Sequence, residues 1–258
     1  MELNQYIDAR KQKLAGSRPL IMTHVVCGYP SFEDNWKELE IMQEFGVDLV
    51  ELQFPFSEPS ADGPLFVKAN QQAIKSGVHV ADCFAFMDKV TKEFSFKVLM
   101  MGYYNTVFKT GHLSFMKSLQ DAGGVGYILP DLPVEEAVEL HEITATLGLS
   151  PIMLMTPTNS DARLKQLAAT AKGFIYTVAR KGVTGSSTDM NNEVAEFIKN
   201  CHTHTNLPLA IGFGVSTKQD IEFISANADI AVVGTAVLKA WEECKETGLR
   251  VFFQQLLS

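Results

Sequence analysis

The sequence has little of what marks several large classes of protein. Its four cysteines, Cys27, Cys83, Cys201 and Cys244, lie far apart and form no C-x-x-C pair. That spacing argues against a zinc cluster or a disulfide framework and fits reduced thiols in a cytoplasmic protein. Basic residues are outnumbered, 22 Lys and Arg against 30 Asp and Glu, for a formal net charge of −8. A chain without a basic patch has nothing to meet a phosphodiester backbone, so no nucleic-acid partner is expected. Long apolar runs are missing too: the longest, Ile230 to Leu238, is about half a membrane span, so no membrane is expected either. The opening MELNQYIDARKQKL has the pattern of a charged amphipathic helix and not of a signal peptide. There is no low-complexity segment and no linker, which predicts a single domain over residues 1–258.

What is present is a regular beat of short β-rich runs and helical patterns. Strands are predicted near Pro19–Cys27, Val47–Phe54, Lys97–Met101, Gly126–Leu129, Pro151–Met155, Phe174–Val178, Pro208–Ile211 and Ile230–Val233. Helices are predicted over Ser31–Phe45, Val80–Glu93, Leu113–Ala122, Val134–Leu147, Ala162–Ala171, Asn191–His202, Thr217–Ala226 and Thr235–Leu257. Ser31, Asp161, Asp189 and Ser216 are candidate N-caps, and Gly123, Gly148 and Gly173 candidate C-terminal stops. Eight strands alternating with eight helices fit a parallel sheet covered by helices. A (β/α)8 barrel needs roughly 250 residues, which matches the length here. A doubly wound open sheet is the competing arrangement. Residues 55–96 exceed a simple connection, which predicts an extra helix near Leu65–Lys75 lying over the catalytic face of the barrel.

Three glycine-bearing turns follow late strands: ARKGVTGSST, IGFGVSTKQD and VVGTAVLK. The last two run strand, glycine, hydroxyl residue, helix. Glycine lets the backbone approach a ligand closely, and the first N–H groups of the following helix attract an anion. Gly212, Phe213, Gly214, Gly234 and Thr235 are therefore candidate phosphate-binding residues, with Gly185 from the preceding loop. Tight turns without a ligand would use the same glycines. Neither a G-x-G-x-x-G fingerprint nor a G-x-x-x-x-G-K-[ST] loop is present.

Residue types narrow the chemistry. A Schiff-base aldolase needs a lysine near the C-terminal end of a strand, and Lys97 lies at the opposite end. The six histidines are scattered and suggest no metal site. Carboxylates remain. In VELQFPFSEPSADGP, Glu51 lies late in an apolar strand, where burial raises its pKa and suits it to give and take a proton. Asp62, on a polar loop, is expected to stay ionised and to grip an N–H or a cation. A structural ion pair is the competing reading for Glu51, and turn or helix capping for Asp62.

ELQFPFSEPSADGP resembles the E-L-G-x-P-F-S-D-P-x-A-D-G-P signature of the tryptophan synthase alpha subunit family. The likeness continues through YYNTVF, ILPDLPVEE, RKGVTG, GFGVS and VVGTAV, in the family's order. The resemblance implies a single TIM barrel with an extra N-terminal helix and an inserted helix after the second strand. It implies a lyase that splits indole-3-glycerol phosphate into indole and glyceraldehyde 3-phosphate for tryptophan biosynthesis, without metal or cofactor. Glu51 would be the acid–base and Asp62 the partner of the indole N–H. Tyr176, Thr184, Gly185, Phe213, Gly214, Gly234 and Thr235 would bind substrate, Thr184 by meeting Asp62 when a lid closes. Pro55, Glu58, Asn105, Asp131 and Pro133 would face a beta subunit carrying pyridoxal phosphate, in an α2β2 assembly with allosteric coupling. The second reading is a catalytically weak or inactive subunit that mainly activates the beta subunit; the third is another phosphosugar barrel, such as an epimerase. Gln53, Glu58, His24 and Val26 depart from the family pattern and touch indole packing and subunit signalling.

Overall fold

Each apolar run becomes a parallel strand, and a helix follows nearly all of them. The computed structural model describes residues 2–178, 192–212 and 214–258. The strands are β1 (Leu20–Val26), β2 (Leu49–Gln53), β3 (Lys97–Met101), β4 (Gly126–Ile128), β5 (Ser150–Pro151), β6 (Met153–Met155), β7 (Ile175–Thr177), β8 (Leu209–Ile211) and β9 (Ile230–Val233). All pairings are parallel, in the order β5-β4-β3-β2-β1-β9-β8-β7-β6. The two ends of that order are joined by Ile152, so the sheet curls into a barrel in place of an open sheet. β5 and β6 together fill the position expected as one strand over Pro151–Met155. The ladder changes partner there, from β4 to β7, beside a proline that has no N–H to donate.

The helices are α1 (Leu3–Leu14), α2 (Phe32–Glu44), α3 (Pro64–Lys75), α4 (Val80–Glu93), α5 (Tyr104–Thr110), α6 (His112–Asp121), α7 (Val138–Leu147), α8 (Asp161–Thr170), α9 (Asn192–His202), α10 (Lys218–Asn227) and α11 (Thr235–Leu257). The extra N-terminal helix and the helix inserted after the second strand are both present. Three expectations need correction. The cap of α8 is Ser160 and not Asp161, and that of α10 is Thr217 and not Ser216. In each case the hydroxyl one residue over accepts the N–H three positions on, which is the geometry a cap requires. Helix α7 begins four residues later than expected, after turns at Val134 and Ala137. Helix α5 was not anticipated. Asp189 lies outside the described residues.

Strand alternation divides the apolar side chains into two cores. Leu20, Met22, Leu49, Leu99, Phe174, Ala210, Ile230 and Val232 pack together inside the barrel. Ile21, Val25, Val50, Leu52, Val98, Met100, Ile211 and Val233 pack outward with the helices. With both faces buried, each strand looks uniformly apolar in sequence.

The amino-terminal end of the barrel is sealed by α1. Leu3 and Ile7 join the interior cluster, almost fully buried. Gly173 makes room for Leu3: a Cβ there would lie 2.6 Å from Leu3 Cδ2, and its φ of +78° also favours glycine. A buried acid holds this end together. Asp48 accepts from Arg10 Nε (2.7 Å), Arg18 Nη1 (2.9 Å) and the Ile21 amide (2.9 Å), while Tyr6 donates to its carbonyl (2.9 Å). Asp48 is fully buried, so every lone pair it uses must be met by protein. Asp48→Ala leaves two guanidinium groups without their shared partner and should cost about 3 kcal/mol. Equilibrium urea unfolding measures this; an unchanged midpoint would show that α1 docks without the acid.

Candidate active site

The same alternation that places Leu49 inside the barrel brings Glu51 and Gln53 inward above it. Across the β1–β2 ladder Glu51 stands opposite His24 and Gln53 opposite Val26. Glu51 is 2% exposed. Its Oε1 has no hydrogen-bond partner among the described residues. The one basic side chain within salt-bridge range among those residues is His24, with Nδ1 4.0 Å from Oε2. That is too long for a hydrogen bond. His24 is itself held near pKa 4 by burial, against the opposing effect of its hydrogen bond to Gln53, so it is neutral at pH 7. Among the described residues no cation compensates Glu51. Burial, and then the charge of Asp62, raise its pKa from 4.5 to about 8. Among the described residues Glu51 therefore makes no ion pair of the kind the competing reading requires.

Asp62 is far more buried than a polar loop position suggests, and its charge acts on Glu51. It is 8% exposed. Its Oδ2 accepts from Gln53 Nε2 at 2.6 Å and from the Tyr103 hydroxyl at 3.1 Å. Tyr103 in turn accepts the Ala61 amide at 3.1 Å, which ties the loop to the end of β3. Burial raises the Asp62 pKa from 3.8 to about 6, and the two hydrogen bonds oppose the rise. Asp62 thus remains mostly ionised at neutral pH, as expected, but by a narrower margin. Tyr176, on β7, belongs to the same constellation: burial and then the charges of Glu51 and Asp62 push its pKa well up. Gly212 leaves room for that ring, since a Cβ there would lie 2.2 Å from Tyr176 Cε1.

The late glycine turns differ in what their helices offer. At α10 the Asp220 carboxylate already accepts the Ser216 and Thr217 amides, both at 2.9 Å. At α11 the N-cap is Gly234, with no side-chain cap and no acid in the first turn. Gly234 and half-buried Thr235 therefore present first-turn N–H groups to the mouth of the barrel. Gly214 has φ +68°, a conformation that favours glycine. Thr184, Gly185 and Phe213 lie outside the described residues. The inserted α3 covers the mouth as expected: Phe66 stacks on His24, with ring centroids 4.3 Å apart. Pro55 and Glu58 follow β2, Asn105 lies in α5 after β3, and Asp131 and Pro133 follow β4, all at this end of the barrel. Asp131 accepts the Tyr104 amide at 2.9 Å, linking two of those loops. Among the described residues no group of three His, Cys, Asp or Glu side chains could hold a metal ion, and no helix is long and apolar enough to cross a membrane.

The family model for the tryptophan synthase alpha chain matches residues 10–256. The chain belongs to the tryptophan synthase alpha chain family. The alpha chain of Syntrophotalea carbinolica is 43% identical, over 95% of this chain and 97% of that one. Among solved structures, a Mycobacterium tuberculosis tryptophan synthase chain superposes with a TM-score of 0.90 at 27% identity, covering 99% of this chain and 96% of that one. A chain of the Pyrococcus furiosus tryptophan synthase a2b2 complex gives 0.86 at 26%, covering 93% and 98%.

Against the pattern of this family, the departures at His24 and Gln53 are neighbours. His24 Nε2 and Gln53 Oε1 are 2.9 Å apart. Sequence reasoning took Gln53 only as a departure touching indole packing and subunit signalling, and gave Tyr103 no role. Its available signal was spacing: residues 51 and 53 share a face, and the register to β1 brings 24 beside them.

The raised pKa of Glu51 has a stability consequence. Between about 4.5 and about 8 the folded chain keeps this proton and the unfolded chain loses it, so its contribution to stability falls as pH rises through that window. Glu51→Gln removes the titration. The variant should match or trail wild type at pH 4.5 and exceed it by a few kcal/mol at pH 8. Urea midpoints at the two pH values test this; a parallel loss at both would contradict a buried, proton-holding Glu51.

Proposed function

We propose that this chain cleaves indole-3-glycerol phosphate to indole and glyceraldehyde 3-phosphate by acid–base retro-aldol chemistry, with Glu51 and Asp62 as its catalytic residues. The observation that carries the assignment is two inward carboxyl groups, held at different proton affinities, at a barrel mouth that also holds an uncapped helix N-terminus. A pair pushed apart in this way divides the work of acid and base. At neutral pH Glu51 starts with its proton and Asp62 without.

The step follows from that division. Asp62 accepts a hydrogen bond from the indole N–H and stabilises the positive charge that develops there. Glu51 delivers its proton to indole C3, giving the protonated indolenine, whose charge on nitrogen Asp62 offsets. Glu51, now a carboxylate, takes the proton of the adjacent glycerol hydroxyl. The hydroxyl oxygen becomes a carbonyl as the C–C bond breaks, and its electron pair returns to the ring. Glu51 ends protonated, as it began, and no net proton is consumed. Such an acid–base group contributes roughly 10²–10⁴ in rate. The Tyr176 ring packs beside the indole. The phosphate lies at the α11 N-terminus, on Gly234 and Thr235, with Gly214, Phe213 and Gly185 completing the grip and Thr184 closing over Asp62.

The partner is a beta subunit, and we assign the stoichiometry as α2β2. The Pyrococcus furiosus relative belongs to an a2b2 complex whose subunits activate one another. The expected interface residues of this chain, Pro55, Glu58, Asn105, Asp131 and Pro133, surround the mouth, next to Phe108, an apolar side chain that is 63% exposed. Pyridoxal phosphate belongs to the beta subunit, and this chain carries out its own step with side chains alone. Its four described cysteines are free, which suits a cytoplasmic setting.

Steady-state release of indole, with and without the beta subunit, tests the assignment. Wild type should release indole, faster in the complex, and Glu51→Gln should fall by about 10³-fold in kcat. A wild type that releases none yet speeds the beta reaction would instead be an activator subunit.

A further inference from the structure

Beyond the two carboxylates, the mouth holds a hydrogen-bonded run of polar side chains, His24, Gln53, Asp62 and Tyr103, with Glu51 beside His24 at 4.0 Å. The direction of each hydrogen bond in it can be deduced. An ionised carboxylate only accepts, so the Gln53 group facing Asp62 at 2.6 Å is its NH2. The carbonyl Oε1 then faces His24, 2.9 Å from Nε2. A carbonyl only accepts, so His24 Nε2 carries the hydrogen. A neutral imidazole has one N–H, which leaves Nδ1 as a bare lone pair, and Nδ1 is the atom nearest Glu51. Phe66 stacks against the ring, with centroids 4.3 Å apart, and restrains its turning. Gln53 is fully buried, so water does not compete for either end of its amide.

We propose that Gln53 is a positioning residue that selects the Nε2–H tautomer of His24, so that Glu51 faces a lone pair and not an N–H while the same amide steadies the Asp62 anion. An N–H at that place would favour the Glu51 carboxylate; a lone pair favours the protonated acid. One amide thereby assigns the proton to Glu51 and the charge to Asp62. Among the described residues, the titratable groups facing this chain are Glu51 from β2, Asp62 from the following loop, Tyr103 beyond β3, Asp131 after β4, whose charge acts on Tyr103, and Tyr176 from β7; Phe66 and Gly234 bring no charge. The proposal rests on the indole-forming reaction assigned above only for its catalytic consequence.

Long-range ¹H–¹⁵N NMR on the full chain reads the tautomer directly, with His24→Phe to assign the signal, and ¹³C detection follows the carboxyl groups. Wild type should hold the Nε2–H form across pH 5–9. Gln53→Met should lose that preference and raise the Asp62 midpoint by about one unit, since a hydrogen bond to the charged form is gone. Gln53→Glu, of equal size, keeps an acceptor for Nε2–H but offers no donor to Asp62. It should preserve the tautomer and still raise the midpoint. The acid limb of kcat/KM for indole release should move upward with Asp62 in both variants. An Nδ1–H tautomer in wild type, or variants that leave tautomer and midpoint unchanged, would overturn the proposal. A wild type that releases no indole would count against the assigned reaction alone, because the NMR readout does not depend on turnover.

Discussion

Everything at the mouth of this barrel depends on one register. Parallel pairing of β1 with β2 sets His24 opposite Glu51, and the pleat sends both inward above Met22 and Leu49. A slip of one residue would exchange them for Val25 and Leu52, which now pack against the outer helices. The apolar layers lower in the barrel therefore do more than supply hydrophobic stabilisation. They fix the height and direction at which a carboxyl group enters a space where, among the described residues, no cation neutralises it. The proton held by Glu51 follows from that placement, since a buried acid without a partner favours its neutral form.

Two acids in such a space would ordinarily oppose each other, and the structure treats them unequally. Asp62 receives two donors from different elements, one from β2 and one from beyond β3. Glu51 receives no conventional donor on Oε1 among the described residues. The inequality is what makes the pair useful, because one group stays a carboxylate near neutrality while the other keeps its proton. At the far end, Asp48 follows the opposite rule. Two arginines and a backbone amide surround it, and it serves as a fixed anchor.

The barrel was legible in the sequence because burial on both faces makes its strands plain apolar runs, and because length and the strand–helix beat leave few alternatives. Glu51 was legible for a related reason: an acid in such a run contradicts its surroundings. The caps of α8 and α10 were missed by one residue, since Asp161 and Ser216 are as suitable in composition as Ser160 and Thr217, and only backbone geometry decides. Asp62 was misplaced in its surroundings because its burial is produced by Tyr103, 41 positions along the chain, and by a proline-braced loop folding back on β2. The bridge from Gln53 to His24 was hidden for the same reason: it is a tertiary contact between two residues that each look like an isolated oddity.

Closure of the lower end by Leu3 and Ile7 has a consequence for traffic through the molecule. With that floor plugged by side chains, the described residues leave the opposite end of the barrel as the side of entry. A reactant and both of its fragments must cross the same threshold, bordered by α3 and the loops after β2, β3 and β4. Any body seated on those loops would stand beside that threshold.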